Sequence, residues 1–332
     1  MSPADRRLPR IWGFLGHRVG DNNQLLALCE ALALPFETRT LSYNAMRRLE
    51  GFHPRSFASL ERSARRTLQP PWPDLLITVG RRSVPVARNV KRLSGGRTRL
   101  VLIGHPRVDP GDFDLVITTL QYPRPDHPNV LVQPLAMSRI GKPPKPTDAE
   151  RAWLDRAAAP RLLMVVGGST KYHDLDPHRM AEAAVRLARR AQARGGTLIV
   201  TGSPRTDPAV LAAIEAAVAP MEQVVVRDRH PRFPVLVNDA AENFVTADSF
   251  AMISEAVLTG KPVGLIPASL NATGRRWLGD EGKVGGKRRD MRRVWDDLAQ
   301  RGWIGTMDEP RAAKADNPTD AAAARVLSLL NG

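Results

Sequence analysis

The stretch VTADSFAMISEAVLTGKPVGLI, residues 245–266, decides how this chain folds. It begins in a β-rich run, ENFVT (242–246), crosses an apolar helical pattern and ends in a second β-rich run, KPVGLI (261–266). Asp248 and Ser249 stand where a helix needs an N-cap, and Gly260 stands where it closes. Met252, Ala256 and Val257 are spaced to face a sheet. Glu255 is the exception, a carboxylate two turns into an apolar helix. Glutamate is a good helix former, so an exposed position would explain it; a ligand carrying hydroxyl donors would explain it too. Strand, helix and strand in so short a span make a βαβ unit with parallel strands.

The same grammar extends outward along the chain. In the first half, RIWGFLG (10–16), FETRTL (36–41), DLLITVG (74–80), TRLVLIG (98–104), FDLVIT (113–118) and NVLVQP (129–134) read as strands, with helical patterns after Asp21, Ser42 and Ser83. The proline-rich stretch 141–148 suits neither element and reads as a linker. Beyond it, RLLMVVGG (161–168), TLIVTGS (197–203) and EQVVV (222–226) resume the strands, and 176–196 is a helix. The fold class expected is α/β: two Rossmann-like doubly wound domains facing a cleft. Their bounds are 1–140 and 149–332. The last helix, TDAAAARVLSLLNG, capped by Thr319 or Asp320, is free to pack back on the first domain.

Composition narrows the partners. The chain has 332 residues, 42% of them hydrophobic, and no apolar run approaches the ~20 residues of a membrane-spanning helix. The basic start followed by a Gly-broken apolar stretch reads as a first strand rather than a signal peptide. One cysteine, Cys29, leaves no internal disulfide and no Cys-cluster metal site, which points to a reducing, cytoplasmic compartment. Net charge is +15, concentrated between Arg39 and Arg107, where 15 Lys/Arg face only Glu50, Glu61 and Asp74. Phosphates, nucleic acid or an anionic membrane face would suit that excess, as would a merely solvated surface. Within it, YNAMRRLEGFHPRSFASLERSARRTL (43–68) interleaves apolar and arginine residues as an interfacial segment would, although its apolar residues equally suit a core. No helix-turn-helix, zinc or RNA-recognition signature accompanies it, so no nucleic acid partner is expected.

Ligands of open α/β sheets sit beyond the carboxyl ends of the strands, so the loops there carry the candidate sites. GHRVGDNNQ (16–24) places Gly16, His17 and Asp21 after the first strand, with Gly16 and Gly20 for a tight turn and Asp21 or Asn22 for a cap. It is neither a GxGxxG fingerprint nor a Walker loop. In GGSTKYHD (167–174), Gly167 and Gly168 permit close backbone approach, Ser169 and Thr170 offer hydroxyls and Lys171 a charge, so a diphosphate fits there. TGSPRTDPAV (201–210) adds Ser203 and Arg205. In the basic half, GRRSVPVARNV (80–90) presents Arg81, Arg82 and Ser83 at a helix start, where cations oppose the helix dipole unless an anion is held. GHPRVDPGDFD (104–114) repeats the theme with His105 and Arg107. Lys287, Arg288 and Arg289 stand in a Gly-rich loop where they could close over a ligand or simply be solvated.

TADSFAMISEAVLTGKPV resembles the nucleotide-binding stretch of GT-B glycosyltransferases. The resemblance implies a nucleotide-sugar donor, Ser249 in the loop beside Asp248 and Met252, and Glu255 as the ribose ligand. It also implies chemistry without a bound metal or cofactor. A resemblance over nearly the whole chain rests on GHRVGDNNQLLALCEAL, TVGRRSVPVAR, RLVLIGHPR with FDLVIT, VVGGSTKY, TGSPRT and TADSFAMISEAVLTGKPV, in that order. It is to the Elm-type mitochondrial-fission family, for which a GT-B fold is expected. That family includes a plant protein recruiting a dynamin-like factor to mitochondria, and bacterial relatives. The chain departs from the pattern after FDLVIT, where TLQYPRP replaces an expected histidine-aspartate pair, and in TGSPRT, which lacks a second basic residue.

Three functions follow as expectations. The first is a glycosyltransferase acting on an envelope or lipid-linked acceptor, with Lys171 and Arg205 on the diphosphate and His17 or Asp21 as general base. The second is a non-catalytic adaptor, peripheral on the inner face of a membrane. The third is a nucleotide-sugar epimerase, which the departure after FDLVIT weakens.

Overall fold

The computed structural model describes residues 7–47, 55–123, 126–140, 144–221, 223–226, 230–279 and 288–331. In chain order the strands and helices are β1 (Ile11–Leu15), α1 (Val19–Ala31), β2 (Phe36–Thr40), α2 (Arg62–Arg66), β3 (Leu75–Val79), α3 (Val84–Leu93), β4 (Arg99–Ile103), β5 (Leu115–Thr119) and β6 (Val130–Gln133). Then come α4 (Asp148–Leu154), β7 (Arg161–Val166), β8 (His173–Asp174), α5 (Pro177–Gln192), β9 (Thr197–Gly202), α6 (Pro208–Val218), β10 (Val224–Val226), α7 (Phe233–Asp239), β11 (Glu242–Thr246) and α8 (Phe250–Leu258). The last are β12 (Val263–Ile266), β13 (Ser269–Leu270), α9 (Ala272–Leu278), α10 (Arg292–Gln300), β14 (Gly305–Thr306) and α11 (Pro318–Asn331).

The chain divides into two compact units, Met1–Arg139 with Asn317–Gly332, and Ile140–Asp316. Each is built on a six-stranded parallel sheet, ordered β2-β1-β3-β4-β5-β6 in the first and β10-β9-β7-β11-β12-β14 in the second. A parallel sheet buries both faces, and the alternation of side chains shows it in the first unit. Ile11, Leu75, Ile77, Val101 and Ile117 pack under α1 and α11, whereas Trp12, Phe14, Leu76, Leu100 and Val116 pack under α3. In the second unit, Leu162, Met164, Val166, Leu198, Val200 and Phe244 meet Met180, Ala184, Leu187 and Ala188 of α5. Burial raises the Cys29 thiol to about 12, so it is an inert core group.

Helix α11 closes the first unit: the Gln133 amide donates to the Pro318 carbonyl at 2.7 Å and the Asn317 amide to that of Ser138 at 2.8 Å. Its cap is neither Thr319 nor Asp320. The Asn317 side chain accepts from the Thr319 N–H, because Pro318 takes the first helical position and needs no partner there. Of the helix expected after Ser42, the described residues hold the five-residue α2; residues 48–54 lie outside the described residues. Leu60 is fully buried and Phe57 packs against the same core, so an interfacial role for 43–68 loses both residues. Leu49 and Phe52 lie outside the described residues, as do residues 141–143 of the linker. Among the described residues no helix is long and apolar enough to cross a membrane.

Candidate functional site

In the second sheet the connection β7–β9–β10 runs to one side, and β11 starts again on the other side of β7. The gap beyond the ends of β7 and β11 is therefore the topological switch point. Asp248 fills it. Its side chain is wholly buried, and its Oδ2 accepts from the Gly168 N–H at 3.1 Å and from Arg205 Nη2 at 3.0 Å. Its Oδ1 accepts from the Thr246 hydroxyl at 2.6 Å, while Thr246 Oγ1 accepts from the Gly167 N–H at 2.8 Å. Arg205 Nη1 also donates to the Gly168 carbonyl, and Thr206 Oγ1 donates to that of Val166 at 2.8 Å. Asp248 is thus no helix cap: its carboxylate is spent on the loops of β7 and β9, and no side chain caps α8.

This network corrects the expected diphosphate cradle. A Cβ on Gly167 would stand 2.2 Å from Asp248 Oδ1, and one on Gly168 2.1 Å from the Arg205 carbonyl oxygen. The close approach that these glycines permit is made by the protein itself, and both amides are occupied. Thr170 is also committed, its hydroxyl accepting from the Tyr172 and His173 amides. Ser203 is tied to Thr206 and to the Arg205 N–H. The Ser169 hydroxyl accepts from the Leu175 amide at 3.3 Å. Exposed Lys171 lies with its Nζ 5.4 Å from the Tyr172 ring, and Arg205 stays half-exposed.

Phe250, Ile253, Ser254 and Val257 of α8 are buried, whereas Ser249, Met252 and Glu255 are partly open. Met252 therefore belongs to the open stripe and not to the face against the sheet. Glu255 makes no hydrogen bond or ion pair among the described residues. Desolvation alone pushes its carboxyl up to about 7. An acid whose folded pKa is raised costs nothing below about pH 4.5, an increasing amount as pH rises to 7, and its full cost above that. Glu255→Gln is accordingly expected to be about 2 kcal/mol more stable than the unsubstituted chain at pH 8. The difference should vanish below pH 4.5, which thermal unfolding across a pH series checks.

Two groups escaped the sequence reading. Behind the loop, His173 is 3% exposed, its ring 5.5 Å from that of Trp295, whose Nε1 donates to the Ala247 carbonyl at 2.9 Å. His173 Nε2 is buried without a partner among the described residues, and burial above all holds the imidazole below its usual pKa. Asp174 and Asp176 have Asp-x-Asp spacing, but Asp176 caps α5 through the Arg179 N–H and Asp174 accepts from Asn271. Among the described residues no group of three His, Cys, Asp or Glu could hold a metal. Lys287 lies outside the described residues; Arg288 stacks 4.0 Å over the Trp277 ring and Arg289 contacts Met291.

In the first unit the loops after β1, β3 and β4 carry the remaining candidates. Helix α1 starts at Val19, so Gly20 and Asp21 lie inside it, and neither Asp21 nor Asn22 is its cap. Asn22 instead clamps the loop, accepting from the Gly16 N–H at 2.8 Å and donating to the Gly16 carbonyl at 2.9 Å. Ser83 is buried and its hydroxyl donates to the Gly80 carbonyl at 2.7 Å, which removes it as an open anion ligand. Arg81 and Arg107 are exposed and Arg82 half-buried. His105 Nδ1 is buried without a partner among the described residues, beside the Tyr122 ring.

A family model described as mitochondrial fission ELM1 matches residues 19–330. The chain belongs to that family. This ELM1-family chain is 29% identical over 231 residues to mitochondrial fission protein ELM1 of Arabidopsis thaliana, covering 62% of this chain and 54% of the relative. The aligned stretch thus spans about half the length of the plant protein. Among solved structures, the S. aureus MnaA-UDP co-structure is similar at a TM-score of 0.55 and 11% identity, covering 98% of this chain and 96% of that one. UDP-GlcNAc 2-epimerase from Neisseria meningitidis, bound to UDP-GlcNAc, gives 0.54 and 12%, covering 97% and 100%. The epimerase of Methanocaldococcus jannaschii gives 0.55 and 11%, covering 97% and 99%. At such identities the likeness shows the fold, and that fold is of GT-B type.

Proposed function

We propose that the second unit binds a nucleoside-diphosphate sugar, UDP-sugars foremost, and that the chain is a glycosyltransferase. The observation that carries this is the open stripe of α8, where Glu255 holds a desolvated carboxylate with no protein partner among the described residues. A ribose supplies what such a group lacks, two adjacent hydroxyl donors for its two oxygens. The uncapped start of α8 next to Ser249, with Arg205 and Lys171, suits the diphosphate. The S. aureus and N. meningitidis proteins of the same fold hold UDP and UDP-GlcNAc. In the transfer, the bond between the sugar's anomeric carbon and the diphosphate oxygen breaks. Its electron pair leaves with the diphosphate, where cations stabilise it, and the acceptor oxygen forms the new bond. His17 or Asp21 takes the acceptor's proton. Partial burial and the nearby arginines favour the neutral form of His17, the one that accepts a proton.

The family resemblance to a mitochondrial fission protein supports a second reading, a non-catalytic adaptor. Thermal unfolding with UDP, GDP, CDP, ADP and TDP separates the two. A nucleotide at a hundred times its dissociation constant should stabilise the chain by about 2.7 kcal/mol, and Glu255→Ala should abolish that shift. If no nucleotide at millimolar concentration moves the transition, the donor-site reading fails and the adaptor takes its place. Incubation with UDP-GlcNAc alone, followed by NMR for a second sugar epimer, tests the remaining epimerase reading.

A further inference from the structure

The first sheet also has a switch point. β1 leads to β2 on one side, and the chain crosses back to place β3 on the other side of β1. All six strands are parallel, so the loops after β2, β1, β3 and β4 emerge side by side at one end. Each carries a cation: Arg47 after β2, Arg18 beside His17 after β1, Arg81 and Arg82 after β3, and Arg107 after β4. Their placement is built in. Asn44 donates to the Ala58 and Leu60 carbonyls, fixing the turn that ends in Arg47. The Asn22 clamp fixes the loop of His17 and Arg18, and Gly80, at φ +75°, turns the chain into the short 3-10 segment of Arg81 and Arg82.

Several other arginines of this unit are paired, Arg88 with Asp112, Arg99 with Asp114 and Arg139 with Glu30. The five at the sheet end form no side-chain ion pair or hydrogen bond among the described residues. Three of the five act on a common point. After partial burial, the strongest influence lowering the pKa of His17 is Arg82, followed by Arg18, with Arg47 adding to them; Asp21 alone opposes. The loop of Arg81 and Arg82 also runs into the N-terminus of α3, whose dipole is positive at that end. Like charges so gathered repel, and an anion among them reverses the sign of every interaction.

We propose that this end of the first sheet is a phosphate-binding site, formed by Arg18, Arg47, Arg81, Arg82 and Arg107 around the β1/β3 switch point. Its ligand is a phosphate ester or diphosphate, borne either by a soluble metabolite or by a lipid. Planar guanidinium forks match phosphate oxygens in pairs, which is why arginine suits this ligand better than lysine. Its residues all belong to the first unit, and its test does not depend on the nucleotide reading of α8.

The test uses the full chain and the double variant Arg18→Ser/Arg82→Ser. Neither guanidinium has a carboxylate to orphan among the described residues, so the variant should melt no lower than the unsubstituted protein, which a structural role for these arginines would not allow. Inorganic pyrophosphate, titrated calorimetrically, should bind the unsubstituted chain and bind the double variant at least about tenfold more weakly, the loss expected for charge-assisted hydrogen bonds. The readout is the arginine-dependent part of the binding, since the double variant keeps Lys171 and Arg205 at the diphosphate end proposed on α8. Sedimentation with phosphatidylcholine vesicles containing phosphatidic acid identifies the source: arginine-dependent co-sedimentation assigns the phosphate to a lipid, and pyrophosphate binding without it assigns a soluble ligand. Pyrophosphate binding that is absent, or equal in the double variant, overturns the proposal.

Discussion

Asp248→Ala is expected to lower the stability of the second unit by about 3 kcal/mol, a fall of roughly 6–12 °C in its melting temperature. The reasoning follows each partner of the lost carboxylate. Arg205 is half-exposed, so its guanidinium can return to water, and the full penalty of a stranded buried charge does not arise. The Gly168 N–H and the Thr246 hydroxyl have no such escape, since both residues are buried at the β7/β11 switch point. Each unsatisfied group costs about 1–3 kcal/mol. Asp248→Asn should cost much less, about 1 kcal/mol. Its amide oxygen can accept from Gly168 and Arg205, while its NH₂ donates to Thr246 Oγ1, a hydroxyl with two lone pairs. Paired melting curves of the two variants check this, and equal losses would show that charge rather than hydrogen bonding holds the loops.

Gly168→Ala is expected to cost about 4 kcal/mol or more, with the product largely insoluble. The added Cβ would lie 2.1 Å from the carbonyl oxygen of Arg205 and 2.6 Å from its carbon. Both are backbone atoms that no rotamer change can move. The segment cannot swing aside, because the Ser203 N–H donates to the Val166 carbonyl at 3.0 Å and Thr206 Oγ1 donates to those of Val166 and Gly167. Gly16→Ala is the control, since no atom lies within 4 Å of its added methyl. It should change stability by no more than about 0.5 kcal/mol. Expression yield and chemical denaturation of the two variants check the contrast.

The two loops show how far residue patterns reach. A glycine pair at a strand end says that something approaches the backbone closely, and the pattern of GGSTKYHD suggests a diphosphate. The answer, Asp248, lies 80 residues on, and its role as an internal anion depends on β11 lying next to β7. Similarly, Arg81 and Arg82 were legible as a charged helix start, but Arg47 was not legible as their neighbour. Its position follows from the antiparallel bridge between Tyr43 and Leu60, a contact across residues that no local pattern links. Asn22 read as a cap because it has the right side chain near the right place; the helix starts three residues earlier, which frees it to clamp Gly16.

By itself, the sequence determined the succession of strands and helices, the α/β class and the strand-end loops where charge collects. Those follow from hydrophobic period, turn residues and caps, all of which act over a few residues. Only the tertiary structure decided which of those loops share a sheet end, that the Gly167 and Gly168 amides are already filled, and that Glu255 stands desolvated without a partner among the described residues. Strand order places residues far apart in the chain within hydrogen-bonding distance, and burial sets the energy of a charge. Neither is a local property of the chain.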